Sequence, residues 1–141
     1  MRIVSRFAFA LLVTASACHT DAIAGSSKAA VGTWSLSSYN GLPLPATAIQ
    51  QGTTTVAVVS GSIDLEEKGT FHILTSYRTT QNGAATMSSQ DIVGIWVDRG
   101  GTITMVPDGG AASVVATYKG NQLTFAGVAS DGSTLPFVYT R

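Results

Sequence analysis

GTFHILTSYRTTQNG, residues 69–83, decides the fold. Phe71, Ile73, Thr75 and Tyr77 fall on one parity, and His72, Leu74, Ser76 and Arg78 on the other. That period of two belongs to a half-buried β-strand. Asn82-Gly83 follows at once, and this pair tolerates the positive φ of a tight hairpin. The next strand therefore returns antiparallel to the first.

The pattern continues in both directions. Toward the C-terminus, 84–97 is apolar on both parities around Ile92, Val93, Ile95 and Trp96, which leaves its orientation open. Turns at Arg99-Gly100-Gly101, Asp108-Gly109-Gly110, Gly120-Asn121 and Asp131-Gly132 separate further strands over 101–106, 111–118, 121–128 and 134–140. Toward the N-terminus, Glu67-Lys68-Gly69 closes a strand over 54–66, and another covers 31–39. Within 54–66, Val56 and Val58 lie on one parity but Ile63 and Leu65 on the other. A bulge near 60–62 reconciles them; a full turn there would make nine strands. No window carries an uninterrupted helical period. Thr, Val, Ile and aromatic residues dominate, as strands prefer. The expectation is an all-β fold, an antiparallel up-and-down β-barrel of about eight strands, because closure removes exposed sheet edges.

Alternation names the interior. Trp34, Leu36, Phe71, Ile73, Tyr77, Met105, Phe125, Phe137 and Tyr139 should point inward, with Ile103, Leu123 and Leu135 beside them. Eight strands enclose a space that side chains can fill or that holds one small ligand. The longest connection, 40–52, contains Gly41-Leu42-Pro43-Leu44-Pro45 and is expected to lie across one mouth, as a plug or a lid.

The chain begins with an address. Arg2 and Arg6 precede the apolar run FAFALLV at 7–13, and small residues lead to Cys18. This reads as a secretory signal over 1–17. The run is shorter than the roughly 20 residues that span a bilayer. Ala15-Ser16-Ala17-Cys18 resembles a bacterial lipobox, which makes Cys18 the expected lipidation site; plain cleavage after an Ala-x-Ala is the rival. Residues 18–30 read as a lipid-anchored tether, and 31–141 as the barrel domain. The expected location is the bacterial cell envelope, periplasm-facing or on the outer membrane.

Composition limits the chemistry. Only 11% of the 141 residues are charged, against roughly 25% in a typical domain. The formal charge is zero, and loss of 1–17 leaves six basic and eight acidic residues, net −2. There is no basic surplus for nucleic acid. One cysteine excludes an internal disulfide framework or a thiolate zinc cluster. Beyond the tether, His72 is the sole histidine, on the outward parity. Asp64 and Glu66 share an outward face, while Asp98, Asp108 and Asp131 occupy turns. No catalytic residue, metal site or cofactor is assigned, and no enzyme is expected.

Gly32-Thr33-Trp34, the Asn40-Gly41-Leu42-Pro43-Leu44-Pro45 turn, Gly69-Thr70-Phe71, Gly94-Ile95-Trp96 and the closing Phe137-Val138-Tyr139-Thr140-Arg141 together resemble the small bacterial lipocalin-like proteins. Gly-x-Trp also opens avidin-like barrels and small periplasmic protease inhibitors. The lipocalin resemblance implies that Trp34 packs at the closed end and that Arg141 lies across it as the barrel-closing pair. The late Thr-Asp-Tyr turn of lipocalins has no counterpart here. The functional expectation is an exported, membrane-tethered barrel that binds a small apolar ligand. The alternative is a filled barrel that docks on an envelope protein, as a scaffold or protease inhibitor.

Overall fold

The computed structural model describes residues 28–128 and 133–141. The signal segment, Cys18 and most of the tether lie outside the described residues. Ten strands follow one another: β1 (Gly32–Tyr39), β2 (Leu42–Pro43), β3 (Ala46–Gln51), β4 (Thr54–Leu65), β5 (Thr70–Gln81), β6 (Ala84–Arg99), β7 (Thr102–Pro107), β8 (Val114–Lys119), β9 (Gln122–Val128) and β10 (Thr134–Thr140). A 3₁₀ turn, Asp108–Gly110, separates β7 from β8.

Every pairing is antiparallel. β4 to β10 form a meander, and β1 pairs with both β10 and β4. Eight strands thus close into a barrel. The short β2 and β3 pair with the upper ends of β1 and β4. The connection expected as a loop over 40–52 is instead largely strand. Ala46 is buried opposite Val58, and Leu44 and Ala48 pack on the core, while Leu42 and Ile49 stay exposed.

Bulges resolve the parity conflicts. On β4, Val58 pairs with Tyr77 and Ser60 with Ser76, so Val59 is the extra residue. This is one position before the stretch expected from sequence, and it lets Val58 and Ile63 both face inward. The nine-strand alternative is not realised. On β1 the extra residue is Ser37, whose hydroxyl donates to the Val138 carbonyl at 2.9 Å. That bulge turns Tyr39 into the core. On β6, Ile92 and Trp96 take the inner face, and Val93 and Ile95 the outer.

The core runs from Ala30 and Trp34 at one end through Ile63, Leu65, Phe71, Ile103, Met105 and Leu123 to Tyr139. Ala30 is fully buried, so the barrel starts inside the stretch assigned to the tether. Strand heights are unequal. β6 has sixteen residues, but its ladder with β7 covers only Gly94 to Arg99. The upper parts of β4, β5 and β6 therefore stand as a tall wall beside the short β7 and β8.

Gly94 sits where β6 and β7 approach most closely. A Cβ there would lie 2.2 Å from the Val106 carbonyl oxygen and 2.8 Å from the Phe71 ring. Backbone cannot yield as a side-chain tip can. Gly94→Ala should therefore destabilise the barrel by about 3 kcal/mol, near the upper end of overpacking costs. Urea unfolding measures this; an unchanged midpoint would contradict the stated approach.

Candidate functional site

The two ends of the barrel differ. At the end where β1 starts, Trp34 is fully buried, and its indole N–H donates to the Ala30 carbonyl at 2.9 Å. The Arg141 guanidinium lies 4.3 Å from the centre of the Trp34 ring. The same group donates to the carbonyls of Val31 (3.0 Å) and Ala29 (2.6 Å). One cation thus covers the ring and holds the incoming chain. The indole N–H of Trp96 donates to the Glu66 carbonyl at 3.1 Å, tying the wall to the β4–β5 turn. This end is sealed.

The opposite end carries half-buried aromatic rings. Phe125 and Phe137 stack with centres 4.8 Å apart, and Tyr39 meets Phe137 edge-on at 4.8 Å. Phe125 also stacks on Tyr139 at 5.6 Å. The cause is registry: Phe125 pairs directly with Phe137, and Tyr139 is two residues further along the same face. Tyr77 and Leu135 are partly buried beside them. The nine residues assigned to the interior therefore divide. Trp34, Leu36, Phe71, Ile73, Met105 and Tyr139 are buried as solid core. Tyr77, Phe125 and Phe137 are half-buried and border the mouth with Leu135, and Tyr39 is buried against Phe137.

Hydroxyl groups collect beneath these rings. Thr75 is buried on the inner face of β5. Tyr77 donates to the Gln90 side-chain oxygen at 3.2 Å. The Tyr139 hydroxyl is buried and has no hydrogen-bond partner. Burial pushes its pKa far above the ordinary tyrosine value, only partly offset by the neighbouring Thr75 hydroxyl and reinforced by Tyr77. Burial first, then Tyr77, also raises Tyr39, and burial raises Tyr77 itself.

The polar residues of the outer wall are spread apart. His72 Nε2 lies 2.7 Å from Asp91 Oδ1, with both side chains in solvent. Asp64 accepts from the Thr33 hydroxyl at 3.2 Å. Glu66 accepts from Lys68 at 2.8 Å and from Thr70, and these two bonds lower its pKa. A hollow of about 390 Å³ lies on the outer wall where β7 leaves β6, lined by Glu66, Lys68, Thr70, Phe71, His72, Val93, Gly94 and Asp108. A smaller one of about 220 Å³ lies on the outer face beside the β4 bulge. Among the described residues no group of three or more His, Cys, Asp and Glu is placed to hold a metal ion.

Sequence reasoning missed Tyr39 and gave Thr75 and Asp98 no place in a site. Tyr39 was hidden by the Ser37 bulge. Thr75 was expected inward by parity, as found, but as a polar residue was not assigned to a site. Asp98 is buried, where it accepts from the Gly101 amide (3.0 Å) and the Tyr118 hydroxyl (2.9 Å), so it fixes the β6–β7 turn. The signal for Asp98 was its place before Gly100-Gly101, where aspartate commonly caps a turn.

Comparisons with protein-family models, with curated proteins and with solved structures return no match. The class of the molecule, a closed eight-stranded antiparallel barrel, rests on its own geometry.

Two measurements follow. Arg141→Met removes the cation over Trp34 and two charged hydrogen bonds, and should lower unfolding free energy by about 2 kcal/mol; chemical denaturation followed by tryptophan emission reads it. Tyr139→Phe removes a hydroxyl that makes no hydrogen bond, so stability at pH 7 should hold or rise. The pH dependence has a definite sign. Tyrosine ionises near pH 10 when unfolded, whereas folded Tyr139 retains its proton. Its contribution is complete below pH 10 and is lost as pH rises beyond it. Thermal melts from pH 8 to 11 should show alkaline destabilisation, shallower in Tyr139→Phe and not abolished, since Tyr39 and Tyr77 are raised as well.

Proposed function

We propose that the protein is an exported, non-enzymatic lipocalin-like barrel, tethered to the cell envelope through Cys18, that binds a small apolar ligand at its mouth. The supporting observation is the stacked, half-buried Phe125–Phe137 pair, which packs edge-on against the buried Tyr39 ring. Rings left part-exposed at one end of a rigid barrel present flat apolar surface to a guest. Trp34 and Arg141 cover the opposite end, which favours entry from the mouth. The hydroxyls of Thr75, Tyr77 and Tyr139 lie below the rings and favour a ligand with one polar group on an apolar body.

A fluorescent apolar dye should bind the folded protein with enhanced emission. Phe137→Ala should weaken it about tenfold, equivalent to roughly 1.4 kcal/mol, with circular dichroism confirming an intact barrel. A folded protein that leaves the dye in water would overturn the reading. Mass spectrometry of the mature N-terminus tests the tether separately: an acylated Cys18 is expected, and an unmodified N-terminus beyond Cys18 would remove the anchor.

A second reading, docking on an envelope protein, draws on exposed Val93, Ile95, Val106 and Val115 along the outer wall. The cross-strand pair Ile95–Val106 lies at its centre. Ile95→Lys would disturb that surface and leave dye binding unchanged.

A further inference from the structure

β6 is longer than the strand that covers it. Its ladder with β7 ends at Gly94, and among the described residues no strand pairs with 84–93 on that side, although the Asp108–Gly110 turn lies beside its lower end, near Val93. The Trp96 amide donates to the Gly69 carbonyl at 2.8 Å, across to β5. The β5–β6 register runs without a shift from Thr70–Ile95 to Gln81–Ala84. Even-numbered residues therefore address β5. Ala85, Met87, Ser89, Asp91 and Val93 point their amides and carbonyls at the open side. All five are exposed.

Edges of this kind are ordinarily blunted by lysine, proline or a bulge. Residues 84–93 contain no lysine and no proline, their ladder has no bulge, and Asp91 is their one charge. Beside this edge on β5, Arg78 pairs with Met87. Arg78 is exposed, and among the described residues it has no ion pair.

We propose that two copies of the protein pair antiparallel through the β6 edges, about a two-fold axis at Ser89. That register sets Ser89 opposite itself, Met87 opposite Asp91 and Ala85 opposite Val93. It uses all five outward-addressing residues of each copy. An axis at Ser88 would leave Val93 without a counterpart. Charge selects the same register. Asp91 of one copy falls beside Met87 of the other, one strand from Arg78. Strands two apart are separated by about 10 Å, within reach of an extended arginine. The two Asp91 carboxylates do not face each other. The inference goes beyond ligand binding and is independent of it.

The experiment uses the full chain carrying Cys18→Ser, which removes the native thiol. Analytical ultracentrifugation at tens of micromolar should give a dimer mass. Met87→Lys, at a side chain 62% exposed, should raise the dissociation constant at least tenfold while circular dichroism stays unchanged. Ser89→Cys should form a disulfide-linked dimer under mild oxidation, because hydrogen-bonded antiparallel partners have Cα atoms about 5.5 Å apart. Ala84→Cys should not. A monomer at every concentration overturns the proposal. So does a dimer indifferent to Met87→Lys, cross-linking at Ala84 in place of Ser89, or open-ended oligomers from pairing of β6 with the β3 edge of another copy. Dye binding at the mouth is read in the same samples, so failure of either reading is seen separately.

Discussion

The barrel depends on one strand pairing on two sides. β1 pairs with β4 through Gly32 to Ser35 and with β10 from Ser35 to Tyr39. Without both ladders the meander from β4 to β10 would be an open sheet with long free edges. Trp34 lies within the β4-paired part of β1, and its ring fills the end of the barrel beneath Arg141. Arg141 follows β10, and through the Ala29 and Val31 carbonyls it holds the chain that leads into β1. The two ends of the described domain are thereby joined where the sheet closes. Burial of a tryptophan, a charged contact and ladder pairing all act on the same few residues.

Closure with unequal strands makes the two ends different. Each hairpin is tight, so strand lengths alone set the height of the wall at each point. β5 and β6 carry their alternation up to Asn82-Gly83, whereas β7 ends at Pro107, level with Gly94. The contact at Gly94 fixes that level. A side chain there would push β7 off β6, and without it the Pro107 backbone packs directly on the wall. The mouth is consequently oblique. Its aromatic rings lie on β1, β9 and β10, and its tall side is lined by Tyr77 and Gln90.

Much of this was legible in the sequence because two signals agreed. Period-two alternation named Phe71, Ile73, Tyr77, Ile103, Met105 and Leu123 as inward, and glycine-bearing turns bounded each strand. The conflict between Val58 and Ile63 marked an irregularity in the strand, a bulge or a turn, and the unbroken pairing of β4 with β5 on both sides of Val59 makes it a bulge. Ser37 gave no such warning: the strand that carries it ends two residues later, so Tyr39 alone registers the shift. β3 was unreadable for another reason. Its inward residues are Ala46 and Ala48, whose small side chains give a weak periodic signal, and the prolines before them read as loop. β6 was ambiguous because its lower half is a wall apolar on both faces, with Ile92 and Trp96 inside and Val93 and Ile95 outside. Parity cannot assign a strand whose two faces are both apolar; only its registry with β5 does so.

Scarcity of charge links the interior to the surface. Outward positions are made polar mainly by threonine and serine, which suit strands better than lysine or glutamate. The cost of that choice appears wherever a strand outruns its neighbour. An exposed edge rich in Ala, Thr, Ser and Gln has nothing to repel another strand, and β6 above Gly94 is such an edge. The same scarcity acts inside: beneath the rings the buried polar groups are the hydroxyls of Thr75 and Tyr139, and the buried carboxylate of Asp98 is held in hydrogen bonds at the β6–β7 turn. A hydroxyl such as that of Tyr139 can be buried unpaired at a cost of about 1–3 kcal/mol, whereas an unpaired ion would cost several times more. A barrel built this way keeps an uncharged polar layer beneath apolar rings without destabilising its core. That layer offers hydrogen-bonding groups and no charge, which is why the ligand proposed for it is an apolar body with a single polar group.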